Sequence, residues 1–324
     1  MTRTNGSLTA PAIDLGIWPT PLHPAERLTV ALGGSPIFVK RDDLSGLGAG
    51  GSKARKLRLL LAEARADDAT VVLTQGGPQS NHCAQTAMAA AMVGMRSELF
   101  LWGEDPDTRT GNLRIDDLCN ADVRFVASSG PEEVDAIIAE RAEALRESGE
   151  KPYVIPVGGS NVLGVAGAVS GAAEMVEQAD QLPGRVRVVV AAGSLGTIAG
   201  LIIGSWMFEL DWEIDGVTVF LAAAEAESRL EDLLDESRSH LCPWAERRHN
   251  YRIVADQIGP GYGQPTEGGA EAQHLAARTE GLLLDPTYTS KAMAGLIDGV
   301  RSGRFGQDGA VVFWHTGGLA GLFQ

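Results

Sequence analysis

Short β-branched runs alternate along the chain with stretches whose apolar residues recur at helical spacing. That alternation predicts βα units and a largely parallel sheet, hence an α/β fold. Strands are expected over residues 71–74, 98–101, 123–126, 153–156, 186–191, 217–222 and 310–315. Helices are expected over 54–66, 84–93, 131–148, 165–178, 198–208, 270–279 and 290–301. The runs 186–190 and 217–221 lack the polar alternation of a half-buried strand, which marks them as strands covered on both faces. No internal repeat or low-complexity linker interrupts the pattern, so composition alone draws no domain boundary.

At 324 residues the chain has room for two modest domains or one large one. An apolar content of 44% supports a sizeable core without disulfide or metal staples. The net charge of −15 repels polyanions and no run of Lys and Arg offsets it, which argues against nucleic acid as a partner. Cys83, Cys119 and Cys242 form no CxxC pair and the six histidines are scattered, so no metal site is expected. Residues 1–15 lack the basic stretch and apolar run of a signal peptide, and no apolar stretch is long enough to span a bilayer. A cytoplasmic protein with no membrane partner is expected.

The candidate chemistry lies in three glycine-rich loops. The first, Gly46-Leu47-Gly48-Ala49-Gly50-Gly51-Ser52, runs into a helix whose first turns carry Lys53, Arg55 and Lys56. Three cations there oppose the helix macrodipole, so an anion is expected to compensate them. The same field, with partial burial, lowers the pKa of Lys53 and frees its amine to attack a carbonyl. A solvated basic helix face is the plainer alternative. The nucleotide P-loop pattern fails, because Ser52 precedes Lys53 and no Val-rich strand leads in.

The second loop, Gly76-Gly77-Pro78-Gln79-Ser80-Asn81-His82, lies on a strand-to-helix turn, where α/β proteins bind ligands. Capping alone accounts for one of Ser80 and Asn81 but not for four polar residues in a row. The third, Gly193-Ser194-Leu195-Gly196-Thr197, opens another helix and offers backbone N–H groups to a phosphate. A tight βα turn explains that segment equally well.

Taken together, residues 50–57, 75–82 and the stretch Asp285-Pro286-Thr287-Tyr288-Thr289-Ser290-Lys291-Ala292-Met293-Ala294-Gly295 resemble the D-cysteine desulfhydrase and 1-aminocyclopropane-1-carboxylate (ACC) deaminase family. These are pyridoxal-phosphate enzymes of fold type II, the tryptophan-synthase β-like group. The resemblance extends from Thr20-Pro21-Leu22 to Trp314-His315-Thr316-Gly317-Gly318. It implies two open twisted-sheet α/β domains with pyridoxal 5'-phosphate between them. Residues 61–168 would form the small domain, and 1–60 with 169–324 the large one, in a homodimer.

By the same resemblance Lys53 holds the cofactor as a Schiff base and shuttles the substrate's α-proton. Lys56 with Gly193, Ser194, Leu195, Gly196 and Thr197 holds the phosphate, and Asn81 lies beside the ring. Gln79, Ser80, Asn81 and His82 face a small amino-acid substrate, with Ser80, Tyr262 and Tyr288 close to the reacting carbons. Thr289 meets the pyridine nitrogen, where ACC deaminases carry Glu. A neutral hydroxyl there favours α,β-elimination, as in D-cysteine desulfhydrase. The alternatives are ACC deaminase, L-cysteate sulfo-lyase and a β-replacement enzyme. The chain departs from the family pattern at Ser52, Cys83 and Ala84.

Overall fold

A computed structural model describes residues 11–127 and 131–324; residues 1–10, on which most of the leader reading rests, lie outside them. The chain begins with β1 (Leu22–Pro24), α1 (Glu26–Leu32), β2 (Ile37–Lys40) and α2 (Lys53–Ala66). Next come β3 (Val71–Gly76), α3 (Asn81–Met92), β4 (Arg96–Trp102), α4 (Gly111–Leu118), β5 (Asp122–Val126), α5 (Pro131–Glu147) and β6 (Pro152–Val154). There follow α6 (Val162–Glu177), β7 (Arg185–Ala192), α7 (Gly196–Met207), β8 (Trp212–Thr218) and α8 (Ala223–Leu241). The last elements are β9 (Tyr251–Val254), α9 (Glu267–Glu280), α10 (Thr289–Arg301) and β10 (Gly309–Trp314).

The strands form two sheets, one in the order β1-β2-β10-β7-β8-β9 and the other β5-β4-β3-β6. All pairings are parallel except β1 with β2. The α/β class expected from the alternation is therefore what the chain adopts. The small sheet is contiguous in sequence, whereas the large one joins strands from both sides of it. Helices α2 and α6 pack against each other. Both expected boundaries, 60/61 and 168/169, fall inside these two helices.

Strand β7 is buried from its second residue to its last, as a covered parallel strand must be. Helix α7 is buried at every position from Gly196 to Trp206. Being apolar all round, it lies between the large sheet and other helices rather than on the surface.

The strand expected at 217–222 is displaced: β8 ends at Thr218, and residues 219–221 are loop. Asp215 and Gly216 broke the expected pattern, yet Asp215 stays inside the strand. Arg252 donates to its two carboxylate oxygens at 2.8 and 3.0 Å, and Arg304 adds a third contact at 3.1 Å. The unexpected elements are β1, β2, β9, α1, α4 and α8. Apart from α8 they are short, and the periodicity signal fades with length.

Candidate active site

A cavity of about 230 Å³ opens at the carboxyl ends of the parallel strands, between the two sheets. That edge is where α/β sheets bind ligands. From the small sheet it receives Gly76, Gly77, Ser80, Asn81 and His82, and from the first turn of α2 it receives Lys53. From the large sheet it receives Gly193, Ser194, Leu195 and Thr197 after β7, with Tyr262 and Tyr288 from loops further along. The second and third glycine loops, and the lysine that follows the first, therefore converge on one space.

The start of α2 is set by backbone contacts. Gly51, at φ +141°, bridges to Gly317, and the Ser52 amide donates to Thr316 O at 3.0 Å. A side chain is excluded at Gly51, where a Cβ would meet Gln85 Nε2 at 2.4 Å. The Ser52 hydroxyl is buried without a hydrogen-bond partner among the described residues.

The three cations of α2 meet different fates. Arg55 is neutralised by the chain itself, donating to Asp42 at 2.7 and 2.9 Å and to Glu174 at 2.8 Å. Asp42 accepts in addition from Trp314 Nε1 at 2.9 Å, and Lys40 reaches Glu174 at 2.9 Å. The anion expected to compensate Arg55 is thus two carboxylates, Asp42 fully buried and Glu174 partly so. Lys56 instead donates to Gly158 O at 2.9 Å and Ser160 Oγ at 3.1 Å. Burial, with Lys53 nearby, holds its pKa well below the ordinary lysine value.

Lys53 has neither a hydrogen-bond nor an ion-pair partner among the described residues. Burial lowers its pKa to about 8 against the pull of Asp285 and Asp42. An amine in that state is a competent nucleophile near neutral pH.

Opposite stands the turn into α7. Leu195 takes the left-handed conformation at φ 65°, so that the helix N-terminus faces the cavity. The Leu195 and Thr197 amides make no hydrogen bond to the described residues. Two free N–H groups at a helix N-terminus form an anion site.

The tyrosines close another wall. Tyr262 and Tyr288 share a 2.5 Å hydrogen bond between their hydroxyls. Asp285 fixes the turn before α10, accepting from the amides of Thr287, Tyr288 and Thr289 at 2.8–2.9 Å. Gly77 leaves room for Tyr262, whose ring a Cβ there would meet at 2.7 Å. Burial pushes the Tyr262 phenol up to about 12, partly offset by Tyr288, and pushes Tyr288 well above the usual value.

His82 has a defined tautomer. Thr74 Oγ1 gives its proton to Ile155 O at 2.8 Å, so it must accept from His82 Nε2 at 2.9 Å. The proton is then on Nε2, and buried Nδ1 is a lone-pair site without a partner among the described residues. Burial, Lys53 and Lys56 keep the ring neutral.

Four expected site residues do not line the cavity. Gln79 turns to α4, accepting from the Asn112 amide at 2.8 Å and donating to Thr110 O at 3.1 Å. Lys56 and Gly196 lie behind the wall, where a side chain on Gly196 would strike Lys56 Nζ at 2.4 Å. Thr289 is fully buried, and its hydroxyl donates to Asp285 Oδ1 at 2.6 Å while accepting from the Asp285 amide at 2.8 Å.

Lining residues that the sequence reading passed over include Trp102, Ser160, Phe220, Arg229 and Thr316. A signal was present for Ser160, since Gly158-Gly159-Ser160-Asn161 is a fourth glycine loop. Of the departures, Cys83 is buried and burial raises its pKa, so it is a packed thiol rather than a reactive one.

Residues 13–317 match the model of the family described as pyridoxal-phosphate dependent enzyme. The D-cysteine desulfhydrase of Salmonella typhi is 41% identical over 321 residues, covering 97% of this chain and 95% of its own. That of Salmonella choleraesuis (strain SC-B67) matches with the same identity and coverage. Among solved structures, an ACC deaminase homologue superposes with a TM-score of 0.89 at 34% identity, covering 97% of this chain and 94% of that one. The processed form of threonine deaminase isoform 2 from Solanum lycopersicum gives a TM-score of 0.69 at 18% identity, covering 96% and 87%. That last likeness is one of fold alone.

Proposed function

The chain belongs to the pyridoxal-phosphate-dependent enzymes, and from that premise we propose that it is a lyase which removes sulfide and ammonia from D-cysteine. The observation that carries the reading is Lys53, an amine with a pKa of about 8 in the cavity where the second and third glycine loops meet. The 41% identity to D-cysteine desulfhydrases over nearly the whole chain supports the substrate.

The donor set fits pyridoxal 5'-phosphate. Lys53 offers the amine that its aldehyde requires, and the free amides of Leu195 and Thr197 offer an anion site for its phosphate. Lys56 sits behind that turn, where a bound phosphate would favour its protonated form. When bound, the cofactor supplies the electron sink that stabilises negative charge at a substrate α-carbon.

The remaining work falls to side chains. Lys53 would hold the cofactor and would also serve as a base for the α-proton. Ser80 and Asn81 would offer polar groups to the substrate carboxylate, and the hydroxyl pair Tyr262–Tyr288, which lines the same cavity, would be the acid for the departing sulfur. The balance needs no oxidant: D-cysteine and one water give pyruvate, hydrogen sulfide and ammonia. The neutral residue Thr289, where ACC deaminases carry Glu, favours elimination over ring opening. A homodimer in the cytoplasm belongs to the same proposal on the strength of the family resemblance, and sedimentation of the purified chain tests the dimer.

The test is the visible spectrum of the purified holoenzyme before and after D-cysteine, L-cysteine, L-cysteate and ACC, with keto acid and sulfide measured alongside. Pyruvate and sulfide from D-cysteine support the reading. 2-Oxobutyrate from ACC, sulfite from L-cysteate, or turnover only with a second nucleophile would each replace it.

A further inference from the structure

Lys291 is the third residue of α10, is fully buried, and has no carboxylate in contact among the described residues. A cation in the first turn of a helix opposes the macrodipole, and its burial adds a desolvation cost. Its ammonium is instead surrounded by backbone carbonyls. It donates to Ile258 O at 2.8 Å and Gly261 O at 3.0 Å, with Val219 O at 3.5 Å. Asp285 acts on it only from a distance.

These carbonyls come from two separate loops. Val219 precedes Phe220 in the loop after β8, and Gly261 precedes Tyr262 in the loop between β9 and α9. Phe220 and Tyr262 both line the cavity, with ring centroids 5.6 Å apart in an edge-to-face contact. The peptide units that aim the two aromatic rings are therefore joined through one charged nitrogen. Converging backbone carbonyls around a compact monovalent cation are also how proteins hold potassium, whose size is close to that of ammonium.

We propose that Lys291 is a built-in monovalent cation: its ammonium fills a carbonyl site that locks the loops carrying Phe220 and Tyr262, making it a positioning residue for the reaction. This rests on reading the cavity as the reaction site. It assigns the loops a fixed geometry without a free metal ion, and it makes the site chemically replaceable. Removing the side chain leaves carbonyls that potassium or methylammonium can occupy. Sodium, being smaller, suits such a site less well.

The experiment compares wild type, Lys291→Ala and Lys291→Met as holoenzymes in choline, sodium, potassium and methylammonium chloride at equal ionic strength. Thermal midpoint and D-cysteine turnover are both measured. In choline, Lys291→Ala should lose turnover by about tenfold or more. Potassium or methylammonium should raise its midpoint and restore several-fold of the activity. Wild type and Lys291→Met, in which the site is filled, should not respond. Folding of Lys291→Ala only in one of these two salts would be the same result.

Undiminished turnover of Lys291→Ala in choline overturns the proposal, as does a loss that no cation reverses in turnover or midpoint. A chain that fails to fold in every salt overturns it too. If no variant, wild type included, turns over D-cysteine, the midpoint series still decides Lys291, and only the substrate reading falls.

Discussion

The hydroxyls of Tyr262 and Tyr288 lie 2.5 Å apart although the two residues belong to different loops of the large sheet. Neither loses its proton at ordinary pH, since burial raises both. One therefore donates to the other, and they act as a unit. Tyr262→Phe and Tyr288→Phe should each reduce D-cysteine turnover by about tenfold or more. The double variant should cost little beyond the worse single one. Independent, multiplicative losses in a double-mutant cycle would show that the pair does not work jointly.

Lys53 reacts with an aldehyde only as the free amine. With its pKa lowered to about 8 by burial, the reactive fraction grows as pH rises through that value. The rate at which apoenzyme captures pyridoxal phosphate should climb between about pH 7 and 9 and then level off. Stopped-flow absorbance measures it. Lys53→Ala should show no visible band at any pH, and a rate still climbing at pH 10 would place the amine at its ordinary lysine value.

Asp116 is 1% exposed, and neither of its carboxylate oxygens has a hydrogen-bond partner among the described residues. Burial, with Asp117 adding to it and Arg109 opposing, raises its pKa to about 8. Unfolded, it ionises near pH 4. Between about 4 and 8 the folded chain thus holds a proton that the unfolded chain has released, so stability falls as pH rises through that window. Asp116→Asn should flatten this slope and gain about 1–3 kcal/mol over wild type at pH 8. Urea midpoints at pH 5 and pH 8 check it: an identical difference at the two values would mean that Asp116 does not titrate there.

Asp42 is fully buried and holds Arg55 and Trp314. Asp42→Asn leaves a buried guanidinium short of charge and should destabilise the chain by about 3–5 kcal/mol. The exposed pair Arg185–Glu213 should contribute less than about 1 kcal/mol. Chemical denaturation of the two variants tests the contrast, and equal losses would remove the special standing of the buried cluster.

Much of this was legible in the residues. Strand β7 and helices α2, α7 and α10 stand near their expected bounds because a continuous apolar run or a strong helical period defines each. Helix α8 was missed although Ala226, Leu230, Leu234 and Ser237 form its buried stripe, diluted by charged neighbours. The glycine loops marked the cavity because close approach and free amides are backbone properties that glycine announces. The placing of Gln79, Lys56 and Thr289 off the cavity wall was not legible, for the converse reason. Each sits in a site motif, but where its side chain points is decided by Asn112, Gly158 and Asp285, which lie elsewhere in the chain or had no assigned part.

Strand β10 lies between β2 and β7, so the latest strand of the large sheet is also an interior one. On the ribosome, the small sheet can close as soon as residues 71–154 have emerged, because all its partners are local. The large sheet cannot. Until residues 309–314 arrive, β2 and β7 have no common neighbour, Trp314 is not there to meet Asp42, and Gly51 has no Gly317 to bridge. A nascent chain therefore carries Lys53 on an unanchored helix start, and the amine reaches its buried setting only after β10 and Gly317 have emerged.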